Sequence, residues 1–303
     1  MTTSRYLQLD VFCARRGGGN PLGVVVGAAG WNDVDMQRFA RWTGLVETTF
    51  VLPPSAPGAS YRLRIFTPEK EIPFAGHPTI GSAHAVLDTG FALARDGTLL
   101  QECGAGLLPV RIEGEGNARR LFVQAPLARV VREGAHVEPI LAYLLRGIEP
   151  GALPPACVEG GRRWWVAEFA SEAELRGWRP DHAAIATLAA ETDTLGLCAF
   201  ARRAKEAPRA GYELVVRAFP AGVGIVEDPA SGAANGLIAA WIALREPDGP
   251  LARGYRVSQG REIGRDASIE VRIERTDDGT VVWVGGQTQT VIDGQATWPE
   301  RTP

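Results

Sequence analysis

The first half of the chain alternates between short apolar runs and polar breaks, a pattern that predicts strands. Between the second and third of these runs, Asp33 to Thr43 is predicted to form a helix that stops at Gly44. A second helix is predicted to begin after His77, with Pro78 at its first position, where the missing N–H carries no penalty. The predicted strands, rich in β-branched and aromatic residues and bounded by Gly, Pro or Asn, lie at residues 6–13, 22–26, 49–52, 61–66 and 121–125.

The second half repeats this organisation. Apolar segments with helical character occupy the stretch after residue 128, and strands return before one long helix that ends ahead of Pro247. Each half therefore has strands followed by a helix rich in small residues. The predicted elements are helices at 139–146, 173–178 and 229–246, strands at 164–169, 195–201 and 212–219, and a closing hairpin of 267–273 with 281–284.

The starts of the two small-residue helices share a pattern. His77-Pro-Thr-Ile-Gly-Ser-Ala and Asp228-Pro-Ala-Ser-Gly-Ala-Ala both read x-Pro-x-x-Gly-x-Ala, and each follows a strand that ends in Arg-x-Phe, at Arg64 and at Arg217. The common order of strand, loop and helix predicts an internal duplication. The alternative is two unrelated helices that both begin with Pro.

Length and composition fit a folded chain with one large domain or two domains of ordinary size, since the 303 residues are 45% hydrophobic and 22% charged. Together with the repeated organisation, we predict an N-terminal lobe of residues 1–127, completed by a strand from 288–303, and a C-terminal lobe of 128–287. The formal net charge is −3 and the basic residues are scattered, which disfavours nucleic acid and membrane partners and favours a small molecule. The longest apolar run, residues 236–244, is too short to span a bilayer, and the N-terminal sequence lacks a signal-peptide core, so we expect a cytoplasmic protein.

No metal or nucleotide motif stands out. His77 and His84 are seven residues apart without a nearby third ligand, and Gly17-Gly-Gly lacks the spacing of a nucleotide-binding loop, so neither a metal nor a cofactor is predicted. The cysteines lie far apart without a CxxC pair and are expected to be buried, reduced packing residues, with one reactive thiol as the alternative. They are Cys13, Cys103, Cys157 and Cys198.

Three titratable residues are candidates for acid/base chemistry. His77 and Asp228 lie at the two predicted helix starts, and Glu47 precedes an apolar strand that has no need of an acid. Two helix N-termini present unpaired N–H groups and partial positive charge, and small residues such as Gly81 and Gly232 would let a ligand approach them closely. We therefore predict a small anionic substrate held between the two lobes. Plain structural alternatives are a surface carboxylate for Glu47, a loop histidine for His77 and a helix cap for Asp228.

Several segments in order along the chain resemble the PhzF family of phenazine-biosynthesis-like isomerases. The resemblance implies an α+β fold of the diaminopimelate epimerase type, with two pseudo-symmetric lobes that each wrap a curved mixed β-sheet around a central α-helix. It also implies a cofactor-independent enzyme that is a homodimer. The segments are Gly19-Asn-Pro-Leu-Gly-Val-Val, Val46-Glu-Thr-Thr-Phe-Val, Arg64-Ile-Phe-Thr-Pro, Phe74-Ala-Gly-His-Pro-Thr, Glu227-Asp-Pro-Ala-Ser-Gly, Ser258-Gln-Gly-Arg-Glu-Ile-Gly-Arg and Val284-Gly-Gly.

The same resemblance implies roles for individual residues. Glu47 would move a proton on a small cyclic amino or hydroxy carboxylic acid such as trans-2,3-dihydro-3-hydroxyanthranilate, assisted by His77 and Asp228. Val46 and Ala233 stand where the family often has Ser, so the catalytic identity is better supported than the substrate. An epimerase or isomerase of another small acid and a non-catalytic carboxylate-binding protein remain alternatives. The implied substrate-binding residues are Asn20, Gly76, Ser231, Gly232 and Ala233.

Overall fold

The structure is a computed structural model that describes residues 2–204, 211–277 and 279–298. Within these residues it is a mixed α+β protein in which strands predominate, and none of its helices is both long and apolar enough to cross a membrane. The helices are α1 (Asp33–Thr43), α2 (Gly76–Asp88), α3 (Pro139–Leu144), α4 (Glu172–Gly177), α5 (His182–Thr192) and α6 (Gly232–Arg245). The strands are β1 (Thr2–Val11), β2 (Asn20–Val26), β3 (Thr48–Leu52), β4 (Tyr61–Phe66), β5 (Glu71–Ile72), β6 (Thr98–Cys103), β7 (Gly106–Glu113), β8 (Arg120–Gln124), β9 (Arg129–Glu133), β10 (Ala156–Gly160), β11 (Arg162–Phe169), β12 (Leu197–Arg202), β13 (Leu214–Phe219), β14 (Gly254–Gln259), β15 (Ala267–Thr276), β16 (Gly279–Gly286) and β17 (Thr288–Trp298).

The described chain forms two compact units. The first unit comprises the described residues of Met1–Gln124 together with those of Gly285–Pro303, and the second unit comprises those of Ala125–Val284. Strand β17 therefore belongs to the first unit, where it pairs with β1.

The sheet of the first unit is mixed and is built around α2. Its strands pair in the order β17, β1, β2, β3, β4, β6, β7, β8, with the short β5 also on β4. Among these described pairings, β2–β3 and β4–β6 are the parallel ones, and the loops that make these two crossovers contain α1 and α2.

The sheet of the second unit repeats this order of pairings. Its strands pair as β9, β10, β11, β12, β13, β14, β15, and of these pairings between described residues β11–β12 and β13–β14 are parallel. Helices α4 and α5 lie in the first crossover and α6 in the second. The same sequence of parallel and antiparallel pairs in both units confirms the internal duplication that the sequence predicts.

The central helices begin at different positions from those predicted. Helix α2 begins at Gly76, so Pro78 is its third residue, and α6 begins at Gly232 and not at Pro229. Gly81 therefore lies in the second turn of α2, where a Cβ atom would be 2.5 Å from the Leu22 side chain, and it is a packing residue away from the helix start.

Helix α6 also carries a closely packed glycine in its second turn. Gly236, in the second turn of α6, has a Cβ position 2.9 Å from the Ala125 side chain, so it also packs closely. The seven-residue alignment that pairs Gly81 with Gly232 has the wrong register, although the duplication itself is correct.

Helix α1 has the bounds predicted from the sequence. The Asn32 side chain accepts a hydrogen bond from the Asp35 N–H at its start, and Gly44 adopts a left-handed conformation (φ 65°) at its end.

Helix α5 was not predicted, because its residues His182-Ala-Ala-Ile-Ala-Thr-Leu-Ala-Ala are mostly alanine and give no clear apolar stripe.

The cysteines are free thiols, and three of them are buried as expected. Burial raises the pKa of Cys13 to about 12 and also raises the pKa values of Cys157 and Cys198. The expectation of burial is wrong for Cys103, which is partly exposed because it ends β6 at the hairpin turn.

Candidate active site

The first unit brings together two of the predicted acid/base residues. Glu47 Oε2 lies 3.4 Å from His77 Nε2, and the two side chains are only 12% and 8% exposed. Glu47 stands between α1 and β3, and His77 is the second residue of α2. The structure therefore places a carboxyl group and an imidazole ring in contact in a largely water-excluded position.

The surroundings of His77 fix its protonation state. Burial lowers the pKa of His77 to about 3, and a hydrogen bond with the Pro21 backbone opposes this only in part. Proline has no N–H, so the Pro21 carbonyl must accept from the ring. Since Nε2 has no hydrogen-bond partner among the described residues, the bound nitrogen is Nδ1. A neutral His77 thus presents the lone pair of Nε2 to Glu47, where it can accept a hydrogen bond from a protonated carboxyl group.

Buried hydrogen bonds hold the segments that carry this pair. Thr49, two residues after Glu47, shares a hydrogen bond of 2.8 Å with the Ser82 hydroxyl on α2. The Thr49 hydroxyl also donates to the Gly23 carbonyl on β2, at 3.3 Å. Strands β2 and β3 are thereby tied to the helix that carries His77.

Two predicted substrate-binding residues also lie in this part of the first unit. Asn20 is the buried first residue of β2 and precedes Pro21, and Gly76 is the first residue of α2. The N-cap residue of α2 is Ala75, whose methyl group cannot accept from the first-turn N–H groups, so these point away from the helix without a capping side chain. Val46, beside Glu47, is 38% exposed and supplies no hydroxyl.

The third predicted acid/base residue, Asp228, lies in the second unit. Its N–H donates to the Ala218 carbonyl at 2.8 Å, and its Oδ1 accepts from the Ala230 N–H at 3.0 Å. Burial raises the pKa of Asp228 to about 6, although hydrogen bonds from Ala230 and Ser231 favour the charged form. A carboxyl group with this pKa can give or take a proton near neutral pH.

The remaining predicted residues form the start of α6. The Ser231 side chain caps the helix by accepting from the Ala234 N–H at 3.3 Å, and Gly232 and Ala233 make up its first two positions. Ala233 is exposed and offers only a methyl group. Asp228 and residues 231–233 are thus neighbours along one short segment of the second unit.

The sequence did not indicate several groups that build these sites. The Pro21 carbonyl is a backbone acceptor without a sequence signature. Gln259 donates from Nε2 to the Asp228 carbonyl at 2.8 Å across 31 residues of chain. Arg217 forms a buried ion pair with Glu227, the residue before Asp228. The Arg-x-Phe pattern includes Arg217, but in the sequence it indicates only the duplication.

His84 has protein partners of its own. Its Nε2 lies 3.0 Å from Asp88 Oδ2 and its Nδ1 lies 3.2 Å from Arg119 Nη2. Over residues 2–204, 211–277 and 279–298, no group of three His, Cys, Asp or Glu side chains is arranged to hold a metal ion. We assign His84 to the packing of α2.

Replacing Asp228 with Asn is expected to stabilise the fold, and only above about pH 5. An acid whose pKa rises from 3.8 to about 6 on folding makes the native state bind more protons, so stability falls as pH rises from about 4 to 6. Asparagine avoids this cost, so the variant should be more stable than the parent by roughly 1–3 kcal/mol at pH 8 and little changed at pH 4.

Urea unfolding at pH 4 and pH 8 measures this difference. Asp248→Asn is the matched control, because the Asp248 side chain is 93% exposed and its replacement should change stability equally little at both pH values. An Asp228→Asn protein that is no more stable than its parent at pH 8 would contradict the assigned cause.

Comparisons with known proteins place the chain in a family. The family model described as "Phenazine biosynthesis-like protein" (PhzC-PhzF) matches residues 9–294. The chain is 32% identical over 302 residues to "Antisense-enhancing sequence 1" of Schizosaccharomyces pombe, covering 98% of this chain and 99% of that protein. It is also 32% identical over 294 residues to trans-2,3-dihydro-3-hydroxyanthranilate isomerase of Pseudomonas aeruginosa, covering 96% and 99%.

Solved structures agree on the fold. A PhzF family phenazine biosynthesis protein of Bacillus anthracis matches with a TM-score of 0.85 and 24% identity, covering 98% of this chain and all (100%) of that one. A probable proline racemase from Agrobacterium radiobacter K84 matches with a TM-score of 0.66 and 13% identity, covering 99% and 94%. The architecture is the diaminopimelate epimerase-like α+β fold, as the sequence resemblance implied. With the family model spanning nearly the whole chain, the protein belongs to the PhzC-PhzF family of phenazine biosynthesis-like proteins.

Proposed function

We propose that the protein is a cofactor-independent isomerase that moves a proton on a small cyclic amino or hydroxy carboxylic acid such as trans-2,3-dihydro-3-hydroxyanthranilate. The observation that carries this proposal is the contact of 3.4 Å between the Glu47 carboxyl and a neutral His77 ring. A relative that is 32% identical bears the name of this isomerase, which supports the choice of substrate class.

The proton shift needs only a group that takes a proton from one carbon and returns it to another. The Glu47 carboxylate takes the proton from C3 of the ring, and the electrons of the C–H bond move into the conjugated system. The resulting carboxylic acid O–H faces His77 Nε2, which is an acceptor because the ring is neutral. Glu47 then returns the proton to another ring carbon, which gives an enol that tautomerises to a ketone.

Other residues would bind and orient the substrate. A carboxylate is favoured at helix N-termini, where backbone N–H groups converge, so the N–H groups of Gly76, Gly232 and Ala233 are its candidate donors. Asn20 and Ser231 are candidate polar contacts, in the first and second units respectively. Asp228, with a pKa of about 6, is the candidate second acid/base group, and the family resemblance implies that it acts on the same substrate.

Incubation with trans-2,3-dihydro-3-hydroxyanthranilate in D₂O tests the proposal. We expect ¹H NMR to show loss of the substrate signals and the appearance of a ketone product that carries solvent deuterium on a ring carbon. Unchanged spectra at enzyme concentrations near that of the substrate would exclude this substrate.

A second candidate is an epimerase or isomerase of another small acid. The feature that favours it is that Val46 and Ala233, at positions where the family resemblance implies Ser, provide no hydroxyl group. Screening small cyclic and amino acids for deuterium uptake from D₂O separates the two candidates. Acids that raise the melting temperature without exchanging a proton would instead indicate a non-catalytic binding protein.

A further inference from the structure

The Gln259 side chain lies at the centre of a buried hydrogen-bond network in the second unit. It stands at the end of β14, opposite Val216 on β13, and it is fully buried. Its Nε2 donates to the Asp228 carbonyl at 2.8 Å. Its Oε1 accepts from the Ser231 N–H at 3.3 Å and from Asn235 Nδ2 at 3.0 Å.

The orientation of this amide follows from its partners. The Asp228 carbonyl is only an acceptor and the Ser231 N–H is only a donor, so the Gln259 nitrogen must face the first and its oxygen the second. Asn235 is fixed in the same way, because its Nδ2 also donates to the Ser231 carbonyl at 2.8 Å. One side chain therefore joins the backbone at Asp228 to the N-cap residue of α6.

We propose that Gln259 is a positioning residue that holds the Asp228 carboxyl group in register with the start of α6. The proposal deepens the proposed function, because it assumes that Asp228 takes part in proton transfer. It also accounts for the segment Ser258-Gln-Gly-Arg-Glu-Ile-Gly-Arg, which the sequence indicates as a family motif without assigning it a role.

Loss of the Gln259 amide removes the hydrogen-bond partners of the Asp228 carbonyl and of the Ser231 N–H at once. The Asp228 carbonyl and the Ser231 N–H would each lose a hydrogen-bond partner. Because an unsatisfied buried polar group carries a desolvation cost, both groups are expected to move towards water. A displacement of about 1 Å in a catalytic group can reduce turnover by about a hundredfold. Movement towards water also removes part of the burial that raises the pKa of Asp228.

The test is Gln259→Met, which keeps the length of the side chain and removes its hydrogen bonds. The pKa of Asp228 is measured by ¹³C NMR of protein labelled on aspartate carboxyl groups, with the Asp228 signal assigned by its loss in Asp228→Asn. We expect this pKa to fall from about 6 by one unit or more. On the substrate that exchanges deuterium, kcat should fall about tenfold to a hundredfold while KM changes less than threefold.

Ser258→Ala is the matched control. Ser258 is a buried polar neighbour on the same strand, but its hydroxyl accepts from Arg176 Nη2, and among the described residues it forms no hydrogen bond with the Asp228 segment. Its replacement should leave both the pKa of Asp228 and kcat unchanged. If Gln259→Met does not fold, Gln259→Asn retains a buried amide that is too short to reach both partners, and the same fall in pKa is expected.

A folded variant in which the pKa of Asp228 stays within about 0.2 units of the parent value would overturn the proposal, as would an equal shift in Ser258→Ala. The carboxyl titration requires no substrate. If no deuterium exchange is found with any acid, the proposed function fails while the positioning role is still decided by the titration.

Discussion

Replacing Glu47 with Gln should reduce the rate of deuterium incorporation into trans-2,3-dihydro-3-hydroxyanthranilate by at least about a thousandfold, since a single group carries the proton in both steps. Glutamine has the shape of glutamate but cannot accept a proton at neutral pH. Its amide N–H can donate to His77 Nε2, which the native carboxyl approaches to 3.4 Å. The fold should therefore remain intact, with a melting temperature within a few degrees of the parent value.

Glu69→Gln is the matched control for this substitution. Glu69 is an exposed residue of the same unit, and its side chain takes no part in the proposed site. The control should retain the activity of the parent. A Glu47→Gln protein that keeps more than a tenth of the parent rate would show that another group carries the proton, and Asp228 would then be the next candidate.

Local sequence patterns predicted those elements whose boundaries depend on nearby residues. Helix α1 is bounded by an Asn cap and a left-handed Gly, and both features are readable over a few positions. The start of α2 was misplaced because Pro is compatible with the whole first turn of a helix, where no N–H is needed, so Pro78 does not mark the first position. Gly81 was misassigned because packing and ligand approach both favour glycine, and only the position of the Leu22 side chain decides between them.

The sequence predicted the titratable groups of the candidate site. It did not predict the groups that set their protonation state and position. Glu47 and His77 are conspicuous by residue type and location, and the structure places them in contact. The neutrality of His77 depends on burial and its tautomer on the Pro21 carbonyl, and a single sequence displays neither. Gln259 is joined to Asp228 only because β14 pairs with β13, which is a property of the tertiary fold.

Removing the positive charge of Arg217 is expected to cause the largest loss of stability among the substitutions considered. The Arg217 and Glu227 side chains are only 4% and 5% exposed and form two hydrogen bonds, of 2.9 and 2.8 Å. Arg217 Nη1 also donates to the Trp178 carbonyl at 2.7 Å. Arg217→Met would leave a buried carboxylate and a backbone carbonyl without this partner, which should cost about 3–5 kcal/mol of unfolding free energy.

The internal duplication supplies a closely matched control. Arg64, on β4, forms the same two hydrogen bonds with Glu71 and lies 5.1 Å from the centre of the Phe66 ring, as Arg217 lies 5.1 Å from that of Phe219. The Arg64 and Glu71 side chains are however 20% and 43% exposed, so water can replace the lost partner. Arg64→Met should therefore cost only about 1 kcal/mol or less.

Urea unfolding of the two single variants at pH 7 measures the difference, and a double variant identifies its cause. If the penalty in Arg217→Met comes mainly from the uncompensated Glu227 carboxylate, Arg217→Met combined with Glu227→Met should be more stable than Arg217→Met alone, although it carries one more substitution. Equal losses of unfolding free energy in Arg217→Met and Arg64→Met would mean that burial does not increase the cost of breaking the Arg217–Glu227 pair. The two ion pairs would then contribute equally to stability although their exposure differs.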